Sequence, residues 1–118
     1  MFRLAKPGEP IKWPVEVHVP RDGGGTTKHT FYAYFVVRSQ AEIDALVAEG
    51  DAEFFAGVIG GPGWEGVSDE HGQELSFSPQ ALEQLVAVPY VKSALSTAYW
   101  QFVLGAARKN SRLPRGTG

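Results

Sequence analysis

The residues best suited to chemistry lie close together in one segment of the chain, Gly57 to Pro79, which reads GVIGGPGWEGVSDEHGQELSFSP. It contains Asp69, Glu70, His71 and Glu74, whose oxygen and nitrogen atoms are the kind of donors that zinc and hard divalent cations bind. Their spacing does not match an EF-hand loop, which needs ligands at alternating positions, a glycine at the sixth and a glutamate at the twelfth.

A β-turn explains the same residues better. Asp69 and Gln73 would close a three-residue loop in which Gly72 takes the left-handed backbone conformation of a type I turn followed by a bulge. This turn would also pair Val67 with Leu75. We therefore favour a structural turn, and keep a small metal-binding protein or enzyme using Asp69, His71 and Glu74 as the alternative.

Two glycine-rich stretches, Asp22–Thr27 and Gly60–Gly63, could bind a phosphate group through backbone N–H groups. Neither opens a predicted helix with the lysine and hydroxyl residues of a phosphate-binding loop. We interpret these glycines as sites of tight turns and of close backbone approach beside Trp64. No cofactor is predicted.

The sequence contains no recognisable catalytic motif. His18, His29 and His71 are the only histidines, and there is neither a Gly-x-Ser-x-Gly nucleophile elbow nor a His-Glu-x-x-His helix. The absence of cysteine excludes a thiol nucleophile, a thiolate zinc site and a disulfide framework. We therefore predict a protein that is not an enzyme.

Composition and charge narrow the class of partner. The chain has 118 residues, 43% hydrophobic and 20% charged, which suits one globular domain. Its formal net charge of -2 gives no general attraction to nucleic acid, and no window is apolar enough for a membrane span. We expect a cytosolic protein with no nucleic-acid or membrane partner.

The elements that position these residues begin with a β-hairpin. Residues 1–11 are predicted to form an N-terminal arm. From Lys12 to Val19, apolar and polar residues alternate, and the segment His29–Val37 is rich in aromatic and β-branched residues, so both are predicted strands. Pro14 cannot donate to a ladder, which predicts an edge strand. The expected register pairs Val17 with Phe31, Val15 with Ala33 and Trp13 with Phe35.

Helices are predicted after the hairpin. Ser39 and Glu42 have the spacing of a capping box, and a helix starting there would bury Ile43, Leu46 and Val47 before ending near Gly50. Phe54–Ile59 is predicted as a short strand.

Two further helices follow. Ser78 and Pro79 are typical of a helix N-terminus, and this helix would bury Leu82, Leu85 and Val86. Pro89 begins the last helix, which would run for about 18 residues at 1.5 Å each. It would end at Arg108, Lys109 and Asn110, followed by a mobile tail over residues 111–118.

These elements predict an α+β fold: an N-terminal antiparallel β-hairpin or small sheet packed against about three helices, in a single domain over residues 12–110. The apolar stripe of the last helix consists of Val91, Ala94, Leu95, Ala98, Phe102, Val103 and Ala106, which Tyr99 can join. Trp100 projects to one side of this stripe, either as a wide core contact or as an exposed anchor for another chain. The predicted partner-binding residues are Trp64, Tyr90, Tyr99, Trp100 and Val103.

Taken as one ordered pattern, the segment from Trp64 to Asn110 resembles the tail assembly chaperones of long-tailed bacteriophages and prophages. Shared features are a Trp-x-Gly-Val segment, an acidic-Gly turn, a Leu-x-Phe-Ser helix entry, a Pro-Tyr-Val helix start and a terminal Lys-Asn. The residues that carry them are Trp64, Gly66, Val67, Asp69, Gly72, Leu75, Phe77, Ser78, Leu82, Leu85, Pro89, Val91, Lys109 and Asn110. The front half also looks similar, so the likeness covers roughly residues 13–110.

The resemblance implies an assembly factor without enzymatic activity. Such a chaperone binds the tape measure protein, keeps it soluble and promotes polymerisation of the tail tube around it, and it self-associates into a homo-oligomer. A longer frameshifted form would contact the tail tube protein. The expected location is the host bacterial cytoplasm and not the mature virion. Another morphogenesis component, such as a tail completion or connector protein, is a further alternative.

Overall fold

Residues 8–105 contain three β-strands and four α-helices. The first two strands follow each other in sequence, and a helical connection leads to the third. The computed structural model describes residues 2, 4, 6 and 8–105. Its elements are β1 (Pro10–Pro20), β2 (Thr26–Val36), α1 (Gln40–Val47), α2 (Asp51–Val58), β3 (Ile59–Glu65), α3 (Pro79–Val86) and α4 (Pro89–Leu104). The α+β fold predicted from the sequence is confirmed.

The N-terminal hairpin is present, but its predicted register is wrong by two residues. Val15 pairs with Phe31 and Val17 pairs with His29. Because side chains alternate with a period of two, a shift of two leaves the same residues on the buried face. The hairpin loop decides between the two registers: the Arg21 N–H donates to the Gly25 carbonyl at 3.0 Å, which closes the loop after Pro20 pairs with Thr26.

Strand β1 lies at an edge of the sheet, as Pro14 predicted, since the strand order is β1-β2-β3 with both pairings antiparallel. It begins at Pro10, two residues before its predicted start, and also contains Pro14 and Pro20. None of these prolines has a backbone N–H to offer to a further strand.

The connection between β2 and β3 consists mainly of the two helices α1 and α2. The capping box at Ser39 is confirmed: the Ser39 hydroxyl accepts from the Glu42 N–H, and the Glu42 carboxylate accepts from the Ser39 N–H at 2.9 Å. Helix α1 ends at Val47, and Gly50 caps the start of α2 instead of ending α1.

The short strand predicted over Phe54–Ile59 is wrong, because Asp51–Val58 is the helix α2. Phe54, Phe55 and Val58 are all buried on one side of it, a spacing that fits a helix. Acidic Asp51 and Glu53 in its first turn favour the helix further, because they face the positive end of the helix dipole.

Strand β3 contains a large bulge. Ala33 pairs with Trp64 and Phe35 pairs with Ile59, so the single residue Tyr34 faces Gly60–Gly63. Gly63 has φ +83°, and a Cβ atom built on it would lie 2.2 Å from Cγ of Phe77. The close backbone approach predicted beside Trp64 is confirmed at Gly63.

The last two helices begin as predicted. The Ser78 hydroxyl accepts from the Ala81 N–H at 3.0 Å to cap α3, and α4 starts at Pro89. Helix α4 ends at Leu104, because Gly105 has φ +87°. The predicted helix end at Arg108, Lys109 and Asn110, and the tail at 111–118, lie outside the described residues. Among the described residues, no helix is long and apolar enough to cross a membrane.

The core lies between one face of the sheet and the helices. Aromatic rings at its centre meet edge to face, with ring centroids of Phe35 and Tyr99 5.3 Å apart and those of Trp13 and Phe102 5.6 Å apart. The largest fully buried side chains are Tyr99, Phe35, Leu82, Leu95, Val15 and Val58. This packing holds α4 against β1 and β2, and so fixes the surfaces beside α4.

Candidate partner-binding surface

Two surface grooves flank helix α4, each of about 390 Å³. The first, which we call the α2–α4 groove, runs between the α1–α2 junction and α4. Its lining residues are Val47, Gly50, Asp51, Phe54, Phe55, Pro89, Lys92, Ser93, Ser96, Thr97 and Trp100. Ser93 and Thr97 also line the second groove, so they form a ridge that separates the two.

The α2–α4 groove has an aromatic wall. Trp100 stacks on Phe54 at an interplanar angle of 25°, with the ring centroids 6.1 Å apart. Phe54 is buried, whereas Trp100 is 38% exposed and Val47, at the end of α1, is 56% exposed. The groove therefore presents an indole face and a branched aliphatic side chain to solvent, supported from below by the core.

The second groove, which we call the β1–α4 groove, is more polar. Its walls are the edge strand β1 and the opposite side of α4, and its lining residues are Trp13, Pro14, Glu16, His18, Tyr90, Ser93, Ala94, Thr97, Ala98 and Gln101. His18 is exposed here, and His29, which pairs with Val17, is exposed on β2.

Of the residues predicted to bind a partner, Tyr90, Trp100 and Val103 are exposed, at 40%, 38% and 38%. The structure places the other two, Trp64 and Tyr99, in the core, so neither presents a side chain to the surface. The Trp64 indole N–H donates to the Leu75 carbonyl at 2.8 Å, which explains its inward orientation. Burial raises the pKa of the Tyr99 hydroxyl.

The contribution of α1 and α2 to this surface is not predicted by the sequence pattern. The spacing in α1 predicts Val47 in its buried stripe, but Val47, the last residue of the helix, is 56% exposed, whereas its neighbour Leu46 packs against the core. Phe54 was assigned to a strand. The acidic first turn of α2 followed by Phe54, Phe55 and Val58 is the signal that could have identified the helix, and with it one wall of the groove.

The acidic segment forms the predicted turn. The Asp69 N–H donates to the Gln73 carbonyl at 2.8 Å, the Leu75 N–H donates to the Val67 carbonyl at 2.9 Å, and Gly72 has φ +79°. The Asp69 carboxylate accepts from the backbone N–H groups of His71 and Gln73. Within residues 8–105, no group of three or more His, Asp or Glu side chains is arranged to hold a metal ion.

A polar cluster occupies the sheet face that points away from the helices. Lys12 and Glu65 form an ion pair at 3.0 Å, the Tyr34 hydroxyl donates to Glu65, and the Lys12 ammonium lies 4.9 Å from the centre of the Tyr32 ring. The hydrogen bond from Tyr34, followed by that from Lys12, lowers the pKa of Glu65, while hydrogen bonding to Glu65 raises the pKa of both Lys12 and Tyr34. These exposed contacts connect side chains of β1, β2 and β3 across the sheet.

Comparisons with protein-family models, with curated proteins and with solved structures found no match to this chain.

Proposed function

We propose that this protein is a phage tail assembly chaperone that binds the tape measure protein, keeps it soluble and promotes polymerisation of the tail tube around it. Two observations support the proposal. One is the ordered set of residues from Trp64 to Asn110 that resembles such chaperones. The other is the α2–α4 groove, whose exposed Trp100 and Val47 lie on a rigid core.

The α2–α4 groove offers an apolar contact surface for a helical client. A tape measure protein is expected to be long, helical and prone to aggregate, so a chaperone must cover an apolar stripe without itself changing fold. A large aromatic side chain in a concave surface can supply most of the free energy of such a contact. Trp100 is held in place by Phe54 and Tyr99, whose rings lie 6.1 Å and 5.3 Å from it, so little side-chain entropy is lost on binding.

The proposal extends to location and further partners. The chaperone acts in the host bacterial cytoplasm, self-associates, and leaves the tail before the virion is complete. Contact with the tail tube protein is proposed for a frameshifted longer form. We propose neither a catalytic role nor a cofactor.

Co-expression with the tape measure gene of the same phage tests the proposal. We expect more soluble tape measure protein and co-purification of the two chains. The same co-expression with Trp100→Ala tests the groove. Its control variant is Tyr32→Ala, because Tyr32 is 40% exposed, close to the 38% of Trp100, but lies on the polar face of the sheet. No gain in soluble client together with no co-purification would refute the proposed function.

Self-association is tested separately, by light scattering on the purified chain over a range of concentrations. A mass that stays at one chain, 12.8 kDa, at all concentrations would remove the homo-oligomer from the proposal.

A further inference from the structure

The charges of this chain are strongly segregated along its sequence. Between Ser39 and Val91 there is no Lys or Arg, although this stretch contains ten of the thirteen acidic residues. The ten are Glu42, Asp44, Glu49, Asp51, Glu53, Glu65, Asp69, Glu70, Glu74 and Glu83. The net charge of -2 therefore conceals a markedly acidic half that includes α1 and α2.

Part of this acidity borders the α2–α4 groove. Asp51 lines the groove, Glu49 directly precedes the lining residue Gly50, and Glu53 Oε1 would lie 2.9 Å from a Cβ atom placed on Gly50. All three carboxylates belong to exposed residues. Among the described residues that line the groove, Lys92 is the one cation, and its ammonium already pairs with Asp51 at 2.9 Å. The rim thus retains an excess of negative charge beside an apolar floor.

The walls of the groove restrict the conformation of what binds there. Both walls are built mainly from helices, and neither contains a β-strand, so neither offers a strand edge to an extended segment. A bound segment must satisfy its own backbone hydrogen bonds, which a helix does. A volume of about 390 Å³ is at the low end for a binding pocket and suits a few apolar side chains projecting from one face of such a helix.

We propose that the α2–α4 groove binds an amphipathic helix whose apolar stripe is flanked by Lys or Arg. The stripe packs on Trp100, Phe54 and Val47, and the flanking cations meet Glu49 and Glu53. This inference rests on the proposed function in assigning the helix to the client, and it adds the binding face and the charge of the client segment.

Direct binding of designed peptides to the full chain tests the inference. Three labelled peptides of about 18 residues, roughly 27 Å as helices, would be compared by fluorescence anisotropy. The first carries a leucine stripe flanked by lysines, the second has glutamate in place of every lysine, and the third has the composition of the first with the stripe scrambled. We expect the first to bind at least about tenfold more tightly than the other two, and its binding to weaken with added salt.

Variants locate the binding site. Trp100→Ala should weaken the lysine peptide by about tenfold, as expected for an aromatic anchor, and Tyr32→Ala should leave it unchanged. If Trp100→Ala fails to fold by circular dichroism, Val47→Ser on the exposed wall provides the same comparison. The double variant Glu49→Lys with Glu53→Lys should reverse the preference in favour of the glutamate peptide. Its matched control is Glu70→Lys with Glu74→Lys, which changes the net charge equally at residues that do not line the groove.

Three results would overturn the inference: equal binding of the lysine and glutamate peptides, an equal effect of the rim and turn double variants, or no binding of any peptide. Loss of self-association in the rim variant without peptide binding would instead assign the groove to a second copy of the chain. The proposed function is judged separately: if the tape measure protein still co-purifies with Trp100→Ala, the chaperone function stands and this binding face is wrong. If the lysine peptide binds but the tape measure protein does not, the binding face stands and the chaperone function is wrong.

Discussion

Replacement of Gly63 by alanine should destabilise this protein more than replacement of any exposed glycine in a turn. The added Cβ atom would lie 2.2 Å from Cγ and 2.4 Å from Cβ of Phe77, and the residue has φ +83°. A left-handed backbone costs an L-residue about 1–2 kcal/mol, and overpacking a filled site costs about 1–3 kcal/mol. The expected loss is therefore about 2–5 kcal/mol in the free energy of unfolding, a large part of the 5–15 kcal/mol typical of a domain.

Gly72→Ala is the matched control, because Gly72 has nearly the same φ, +79°, but a Cβ atom there would meet nothing within 4 Å. It should cost only the backbone term, about 1–2 kcal/mol. Urea denaturation followed by circular dichroism measures both, provided that the slope with denaturant is unchanged. Alanine at position 77 would keep the Cβ atom that causes part of the clash, so the background that removes both contacts is Phe77→Gly. In that background the cost of Gly63→Ala should shrink towards that of Gly72→Ala. Equal costs for the two glycines in the native background would refute the steric reasoning.

Three further predictions concern the core, a helix start and the exposed ion pair. Leu95 is fully buried, so Leu95→Ala should lower the free energy of unfolding by about 2–5 kcal/mol in urea denaturation. Ser78→Ala should lower it by about 1 kcal/mol, because the Ala81 N–H loses its acceptor, and Ser78→Asp should restore most of it in the same assay. The pKa of Glu65 lies below its ordinary value of 4.5, so its contacts stabilise the fold above that pH and the contribution is lost as the pH falls through the folded-state pKa. Tyr34→Phe should raise the Glu65 pKa in an NMR titration, and an unchanged pKa would show that the Tyr34 hydroxyl is not its main cause.

Features of the fold that depend on local chemistry could be predicted from the sequence. Side chains that accept hydrogen bonds from nearby backbone N–H groups predict the serine caps at Ser39 and Ser78 and the turn at Asp69. The missing backbone N–H of Pro14 predicts the edge position of β1. The hairpin register could not be predicted in the same way, since alternation alone does not distinguish registers that differ by two residues.

The binding surface was harder to predict because it is assembled from segments far apart in the sequence. Trp100 was identified from its position beside the apolar stripe of α4. Val47 and Phe54 lie more than 40 residues away in the chain, and only packing of α2 beside α4 brings them to the same groove. Trp64 and Tyr99 are predicted to bind a partner but are buried, because aromatic residues serve both cores and interfaces and the sequence pattern does not tell the two apart.

The prolines at the margins of the sheet bear on how copies of this molecule can meet. Pro10, Pro14 and Pro20 leave gaps in the row of donors along β1, and β3, at the opposite margin, is interrupted by Pro62 and its bulge. Growth of a continuous intermolecular sheet is therefore disfavoured at both margins, which protects the protein from edge-to-edge aggregation. A contact between two copies would therefore use a face of the molecule other than these sheet edges.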